Sequence, residues 1–202
     1  MTSGNSTYGS ADIRTGTYHR YYGPVGSGPV RDTPRKLRTL WPMPGGSGSY
    51  LRSLNTILGI VQSTTDTDEV LNDLVVAFPG VASFKAARSY LHVVAHLGLV
   101  DLDGPTVRVT DEGQGFLRTS DPVIVRQALL TRIAGTCELV KIIRQRPARI
   151  GLLLPKLQAC GYEWTTLSQV RYRLRWLEEV GVVARRGRAR PEYRLTDDFE
   201  SA

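Results

Sequence analysis

The fold is decided by two similar stretches, SFKAARSYLHVVAHLGLVDL (residues 83–102) and TLSQVRYRLRWLEEVGVVAR (residues 166–185). Aligned at an offset of 83 residues, they share four identities, which are Arg88/Arg171, Leu91/Leu174, Gly98/Gly181 and Val100/Val183. After a length difference of three residues, TVRVTDE (106–112) aligns with EYRLTDD (192–198). Similarity at a fixed offset indicates two copies of one supersecondary unit.

The first copy has the residue pattern of two helices followed by a hairpin. Apolar residues at helical spacing run from Asp66 to Phe78 and stop at Pro79-Gly80. Ser83 is placed to cap a second helix, in which Phe84 begins an apolar stripe and which Gly98 closes in the left-handed conformation. Two β-prone runs follow, over residues 99–102 and 106–110, joined at the turn signal Asp103-Gly104.

The second copy repeats this order of elements. Its predicted elements are a helix over 150–160, a helix over 166–180, a stop at Gly181, and strands over 182–186 and 192–196. Between the copies, Asp121 and Thr136 are placed to begin two further helices that join the units. We therefore predict an α+β protein that is mainly α-helical, with short β-hairpins.

The first 48 residues have a different composition, with nine glycines and five prolines and no lasting helical or strand period. Such a stretch buries too little apolar surface to offset its ordering entropy, so we predict a disordered tail over residues 1–48. Basic and aromatic residues alternate within it, which suits either an arm that contacts phosphates or a solvated linker. The remaining chain divides into predicted domains at residues 49–120 and 121–202.

The order helix, turn, helix, hairpin over about residues 50–198 resembles that of a tandem winged-helix protein. Within it, TDEGQGFLRTSDPVIVRQALLTRIAG (110–135) and VRYRLRWLEEVGVV (170–183) resemble winged-helix modules of bacterial restriction and other defence-associated proteins. This resemblance implies two winged-helix domains and duplex DNA as the partner. The same fold also serves as a protein-interaction module in chromosome-organising complexes, so the surface residues must decide the function.

The charge of the chain favours an anionic partner. The sequence holds 26 lysines and arginines against 19 aspartates and glutamates, which gives a formal net charge of +7 and a pI of about 9.7. The charge is +4 over residues 1–50, −3 over 51–120 and +6 over 121–202. The positive charge at the two ends of the chain is typical of proteins that bind nucleic acid.

The second helix of the second copy, with its hairpin, is the leading candidate for DNA contact. If Leu167, Val170, Leu174 and Leu177 are its buried stripe, the opposite face carries polar groups able to reach groove edges, together with Trp176 and Glu179. The groove candidates are Thr165, Ser168, Gln169, Tyr172 and Arg175, and the phosphate candidates are Arg171, Arg173 and the wing arginines Arg185, Arg186, Arg188 and Arg190. A charge cluster is also typical of a solvated surface, and Trp176 also fits a protein contact or packing between the two units.

The matching face of the first copy is less basic. Its candidates for DNA contact are Lys85, Arg88, Ser89 and His92, with His96 one turn further on. Its wing carries Asp101 and Asp103, which repel phosphate, so this copy fits either weak DNA contact or an interaction surface. The spacing of His92 and His96 is that of a metal pair, but no third ligand accompanies them, and surface histidines are the better interpretation.

Several function classes are disfavoured by what the sequence lacks. We find no Walker A sequence, no nucleophile elbow and no nuclease cluster, so we predict neither an enzyme nor a cofactor. The two cysteines, Cys137 and Cys160, fit neither a disulfide framework nor a structural zinc site. With no apolar run long enough to span a bilayer and no signal peptide, we expect a cytoplasmic, nucleoid-associated protein.

Two hypotheses about function remain from the sequence. The first is duplex DNA binding through the second winged-helix domain, as a transcriptional regulator or as the DNA-reading subunit of a larger bacterial or phage assembly. The alternative is a tandem winged-helix adapter that binds another protein in a chromosome-organising or defence complex. A partner protein or a second copy of the chain stays open as a further partner in both.

Overall fold

The structure is a computed structural model that describes residues 40–187 and 191–200. This part of the chain is a mixed α+β structure with nine helices and two small antiparallel sheets. In chain order its elements are α1 (Tyr50–Ser63), α2 (Thr67–Ala77), α3 (Phe84–His96), β1 (Val100–Asp103), β2 (Thr106–Val109), α4 (Asp111–Thr119), α5 (Pro122–Arg132), α6 (Thr136–Gln145), β3 (Ala148–Arg149), α7 (Ile150–Ala159), α8 (Ser168–Glu179), β4 (Val183–Arg186), β5 (Glu192–Leu195) and α9 (Asp197–Glu200).

The predicted order of two helices and a hairpin is present in both halves. In the first half, β1 and β2 pair antiparallel, with Val100 opposite Val109, around a turn in which Gly104 has a φ of +56°. In the second half, β5 lies between β3 and β4, with Val183 opposite Leu195. The first half has only an isolated bridge, Asp66 to Thr106, where the second has β3.

The ends of α3 and α8 confirm the predicted glycine stops. Gly98 and Gly181 have φ angles of +75° and +70°, the left-handed region that glycine enters without steric cost. Both helices end in the same hydrogen-bond pattern, in which the amide after the glycine donates five residues back, Leu99 to Val94 and Val182 to Leu177. This is a Schellman arrangement, and it turns the chain directly into the first strand of each hairpin.

The threonines matched by the repeat, Thr110 and Thr196, also do the same work in the two halves. Each hydroxyl donates to the carbonyl oxygen of the stop glycine, at 2.7 Å for Thr110 and 2.6 Å for Thr196. Each therefore ties the second strand of its hairpin to the end of the preceding helix. The similarity found in sequence thus corresponds to equivalent hydrogen bonds in the structure.

Capping residues explain where several helices begin. Ser83 accepts from the amide of Ala86 at the start of α3, and Asp121 accepts from Val123 at the start of α5, as predicted. Asp66 accepts from two amides of α2, both at 2.9 Å.

Two helices, α1 and α4, were not predicted. The apolar residues of α1 recur at helical spacing, and Leu54, Ile57 and Leu58 are fully buried. Helix α4 begins where Thr110 accepts from the amide of Gly113. Of the predicted apolar stripe of α3, Phe84 is wrong, because it lies at the first position of the helix and is 51% exposed.

Helix α1 joins the two halves, because it packs on α2, β2 and α4 of the first half and also on α8 of the second. At this contact the rings of Tyr50 and Trp176 lie 4.8 Å apart, and both residues are fully buried. The described residues all belong to one compact unit, Pro34 to Ala202. None of the helices in residues 40–187 and 191–200 is long and apolar enough to cross a membrane.

Candidate nucleic-acid interface

Helix α8 presents the predicted apolar stripe to the core. Val170, Leu174 and Leu177 are fully buried, which confirms the helical register read from the sequence. Helix α8 starts just after Thr165, which is exposed, and Ser168 is half-buried in its first turn. The N-terminal end of the helix therefore remains accessible.

The remainder of the predicted outward face of α8 is covered by the chain that precedes α1. The ring of Trp41 stacks on Tyr172 at 6.0 Å between centroids. The indole nitrogen of Trp176 donates to the carbonyl oxygen of Trp41 at 2.9 Å. The prediction of an open face is wrong at both positions: Tyr172 is half-buried and Trp176 is fully buried. Trp176 instead fits the alternative of packing between the two units.

Glu179 holds the same segment at the C-terminal end of α8. Its two carboxylate oxygens accept from the backbone amides of Gly48, at 2.9 Å, and Leu51, at 3.4 Å. A carboxylate at the first turn of a helix is favourable because it satisfies amides with no partner inside the helix. Glu179 is thus a structural contact for the start of α1 and not an outward-facing residue.

Residues 40–48 correct the predicted disordered tail. Leu40 is fully buried and Met43 is 3% exposed, so this part of the predicted tail belongs to the hydrophobic core. The apolar residues around Trp41 were the sequence signal for this contact, masked by the surrounding glycines and prolines. Residues 1–39 lie outside the described part of the chain, and the prediction for them stays a prediction.

Arg173 does not lie at the surface, so its predicted role in holding phosphate is wrong. The residue is fully buried, and its guanidinium donates to the carbonyl oxygen of Ala134 at 2.8 Å and to two oxygens of Gln169. It also lies over the ring of Trp164, 4.1 Å from the centroid. Burial lowers the pKa of Arg173 to about 10. Gln169 is half-buried and its side-chain oxygen is occupied by this contact.

Three of the predicted arginines do converge on one cleft. Arg171 and Arg175 are one turn apart on α8, and Arg185 reaches the same space from β4. The cleft has a volume of about 750 Å³, and its other walls are Ser47, Gly48, Ile150, Pro191 and Tyr193, with Glu178 and Glu179. Arg186 follows Arg185 on the hairpin and is exposed. Arg188 and Arg190 lie outside the described residues.

The charges in the cleft are unequal. Within the described part of the chain, Arg171, Arg175 and Arg185 form no ion pair shorter than 4 Å. Burial raises the pKa of the Glu178 carboxyl, and the nearby charges of Arg185 and Arg175 oppose that rise. Burial also raises the pKa of Tyr193, which pairs with Arg185 across the hairpin. The cleft therefore offers guanidinium groups to an outside anion.

The candidate residues of the first half lie along α3. Lys85, Arg88 and His92 are exposed, whereas Ser89 is half-buried and donates to the carbonyl oxygen of Lys85. A guanidinium nitrogen of Arg88 lies 3.6 Å from a carboxylate oxygen of Asp68. Part of its positive charge is therefore balanced within the chain.

The imidazole rings of His92 and His96 lie 6.2 Å apart. Desolvation, together with the charge of Arg88, lowers the pKa of His92. No group of three potential metal ligands occurs among the residues that the structure describes.

The structure thus brings Arg171, Arg175 and Arg185 together and places Lys85, Arg88 and His92 on a separate helix. The chain matches no family model, no curated protein and no solved structure.

Proposed function

We propose that this chain binds duplex DNA through two winged-helix units, with the arginines of α8 and β4 holding phosphates. In each half, three helices and a hairpin follow one another in the same order, and a short strand or bridge lies between the first two helices. This is the order of elements in a winged-helix domain, with α3 and α8 in the position of the recognition helix. The proposal includes a role as a transcriptional regulator or as the DNA-reading subunit of an assembly.

The observation that carries the proposal is the convergence of Arg171, Arg175 and Arg185 on one cleft beside the hairpin. Guanidinium groups pair with phosphate oxygens through two parallel hydrogen bonds, and unpaired ones have no internal contact to give up. Arg186 extends the same positive surface along β4. Together with the net charge of +6 over residues 121–202, these groups suit the backbone of a duplex.

Base recognition through α8 is confined to the N-terminal end of the helix under this proposal. Trp41 covers Tyr172, so the middle of the helix does not enter a major groove without moving the segment before α1. Thr165 and Ser168 remain at the accessible end, which is the part of a recognition helix that contacts base edges. The contact of α8 with DNA is therefore mainly electrostatic.

One observation favours the alternative of a protein-interaction adapter. Val76 at the end of α2 and Phe84 at the start of α3 are 75% and 51% exposed, and they flank the same short turn. The net charge over residues 51–120 is −3, which disfavours contact with phosphate. A first half that binds a protein and a second half that binds DNA are compatible in one chain.

A salt series of duplex affinity tests the proposal. We expect wild-type affinity to fall steeply with salt, and the combined variant Arg171→Gln, Arg175→Gln, Arg185→Gln and Arg186→Gln to flatten the logarithmic slope by about 0.9 per lost contact. The control removes Arg118, Lys141 and Lys156, which are exposed on other helices, and should leave that slope nearly unchanged. A four-arginine variant that binds as tightly as wild type at every salt concentration would refute DNA binding by this surface.

A further inference from the structure

The cleft beside β4 has the shape of a small-molecule site as well as the charge of a DNA surface. Its volume of about 750 Å³ lies within the usual range for ligand sites of about 300 to 1,000 Å³. Exposed Arg171 and Arg185 stand at its rim, whereas Arg175 is half-buried and Tyr193 is 6% exposed. A duplex backbone contacts such a rim, but the deeper groups suit a smaller ligand.

The groups lining the cleft define the chemistry of that ligand. Arg171 and Arg175 are one turn apart on the same face of α8, and Arg185 lies opposite Tyr193 in the hairpin. Three guanidinium groups around one space match a phosphate, which accepts several charge-assisted hydrogen bonds.

The two carboxylates of the cleft have different roles. Both oxygens of Glu179 accept from backbone amides, at Gly48 and Leu51. Glu178 makes no such contact with the described residues, so its carboxylate is the group able to accept from hydroxyl or amino groups of a ligand. Ile150, Pro191 and Tyr193 add apolar surface suited to the face of a flat ring.

We propose that this cleft binds a nucleoside phosphate, with the phosphate on Arg171, Arg175 and Arg185, a ribose or base donor on Glu178, and the base against Ile150 and Pro191. The site itself does not depend on the proposed duplex binding. The two functions meet at the rim, because Arg171 and Arg185 serve both ligands. A bound nucleotide therefore competes with DNA, and this consequence rests on the proposed function.

Calorimetric titration of the full chain with adenosine 5′-monophosphate, adenosine and inorganic phosphate tests the site. We expect the monophosphate to bind at least ten times more tightly than either of the other two, because only it engages both the arginines and the apolar wall. Arg175→Gln should weaken monophosphate binding at least tenfold. Arg186→Gln, which removes the same charge just outside the cleft lining, should change it less than twofold.

Several results would overturn the site. These are no binding of the monophosphate to wild type at millimolar concentration, equal binding of adenosine, or equal losses in Arg175→Gln and Arg186→Gln. A thermal melt checks the fold of each variant, and Arg171→Gln at the exposed rim replaces Arg175→Gln if the latter melts early.

A second set of titrations separates this site from the proposed function. Wild-type binding of a 5′-hydroxyl duplex, measured without nucleotide, tests DNA binding alone. A 5′-phosphorylated duplex that binds more tightly assigns the cleft to a strand end, whereas equal affinities assign it to a free nucleotide. Adenosine 5′-monophosphate should lower duplex affinity in wild type and have at least tenfold less effect in Arg175→Gln; equal effects in both would refute the competition.

Discussion

Replacing Arg173 by methionine should destabilise the fold, although the residue belongs to a helix proposed to contact DNA. Methionine keeps helix propensity and much of the side-chain length. The change removes the donors to Ala134 and Gln169 and the contact with the Trp164 ring. The carbonyl of Ala134, which is 7% exposed, then loses its partner.

The expected loss in the free energy of unfolding is about 2 to 4 kcal/mol. A buried acceptor left without a donor costs about 1 to 3 kcal/mol, and a desolvated cation over a ring contributes about 0.5 to 2 kcal/mol. Relief of the desolvation of a buried charge offsets part of this sum. For an m value of about 2 kcal/mol per molar urea, the midpoint should fall by about 1 to 2 M.

Arg171→Met is the matched control, because it removes the same charge from an exposed position two residues away on α8. Urea unfolding followed by circular dichroism should show a change of less than about 0.5 kcal/mol for this variant. Duplex titrations should show the opposite ranking, with a flatter salt slope for Arg171→Met and an unchanged slope for folded Arg173→Met. Equal stabilities of the two variants would refute the assignment of Arg173 to the core.

Three further predictions concern the fold. Gly98→Ala should lower the melting temperature more than Gly181→Ala, because both require a left-handed residue but a side chain at Gly98 also meets the guanidinium of Arg132. Trp41→Ala should destabilise the chain by about 1 to 3 kcal/mol through lost burial and stacking, and unchanged urea unfolding would contradict the cover over α8. The pKa of Tyr162 is raised to about 12, first by burial, so its stabilising contribution should persist below the unfolded value and be lost as pH rises from about 10 toward 12, as absorbance titration of wild type against Tyr162→Phe would show.

Local sequence signals predicted the elements whose ends are determined by nearby residues. Ser83 and Asp121 cap helices, and Gly98 and Gly181 end them, because these contacts form between residues at most a few positions apart. The repeat offset then related the two hairpins. Tandem winged-helix architecture and DNA binding stay proposals, supported by this order of elements.

The covered part of α8 was not predictable from the same signals. Helical periodicity identifies one buried stripe, but Trp176 lies outside that stripe and is buried by a contact with residues more than 120 positions earlier. Arg173 was misplaced for a related reason. A guanidinium next to the stripe is solvated in most helices, and only the distant carbonyl of Ala134 and the ring of Trp164 make its burial favourable here.

The differences between α3 and α8 follow from this contact. At the offset of 83 residues, Tyr172 and Trp176 of α8 correspond to Ser89 and Val93 of α3. The larger aromatic residues occur in the helix that receives the segment before α1, where they stack on Trp41 and Tyr50. Their size is therefore explained by packing within the chain, and neither ring is needed for base contact. What α8 leaves for an outside partner is its arginines, because Arg171 and Arg175 lie where that segment ends and the cleft begins. The duplication thus produced one helix with an open polar face and one whose exposed chemistry is almost entirely cationic.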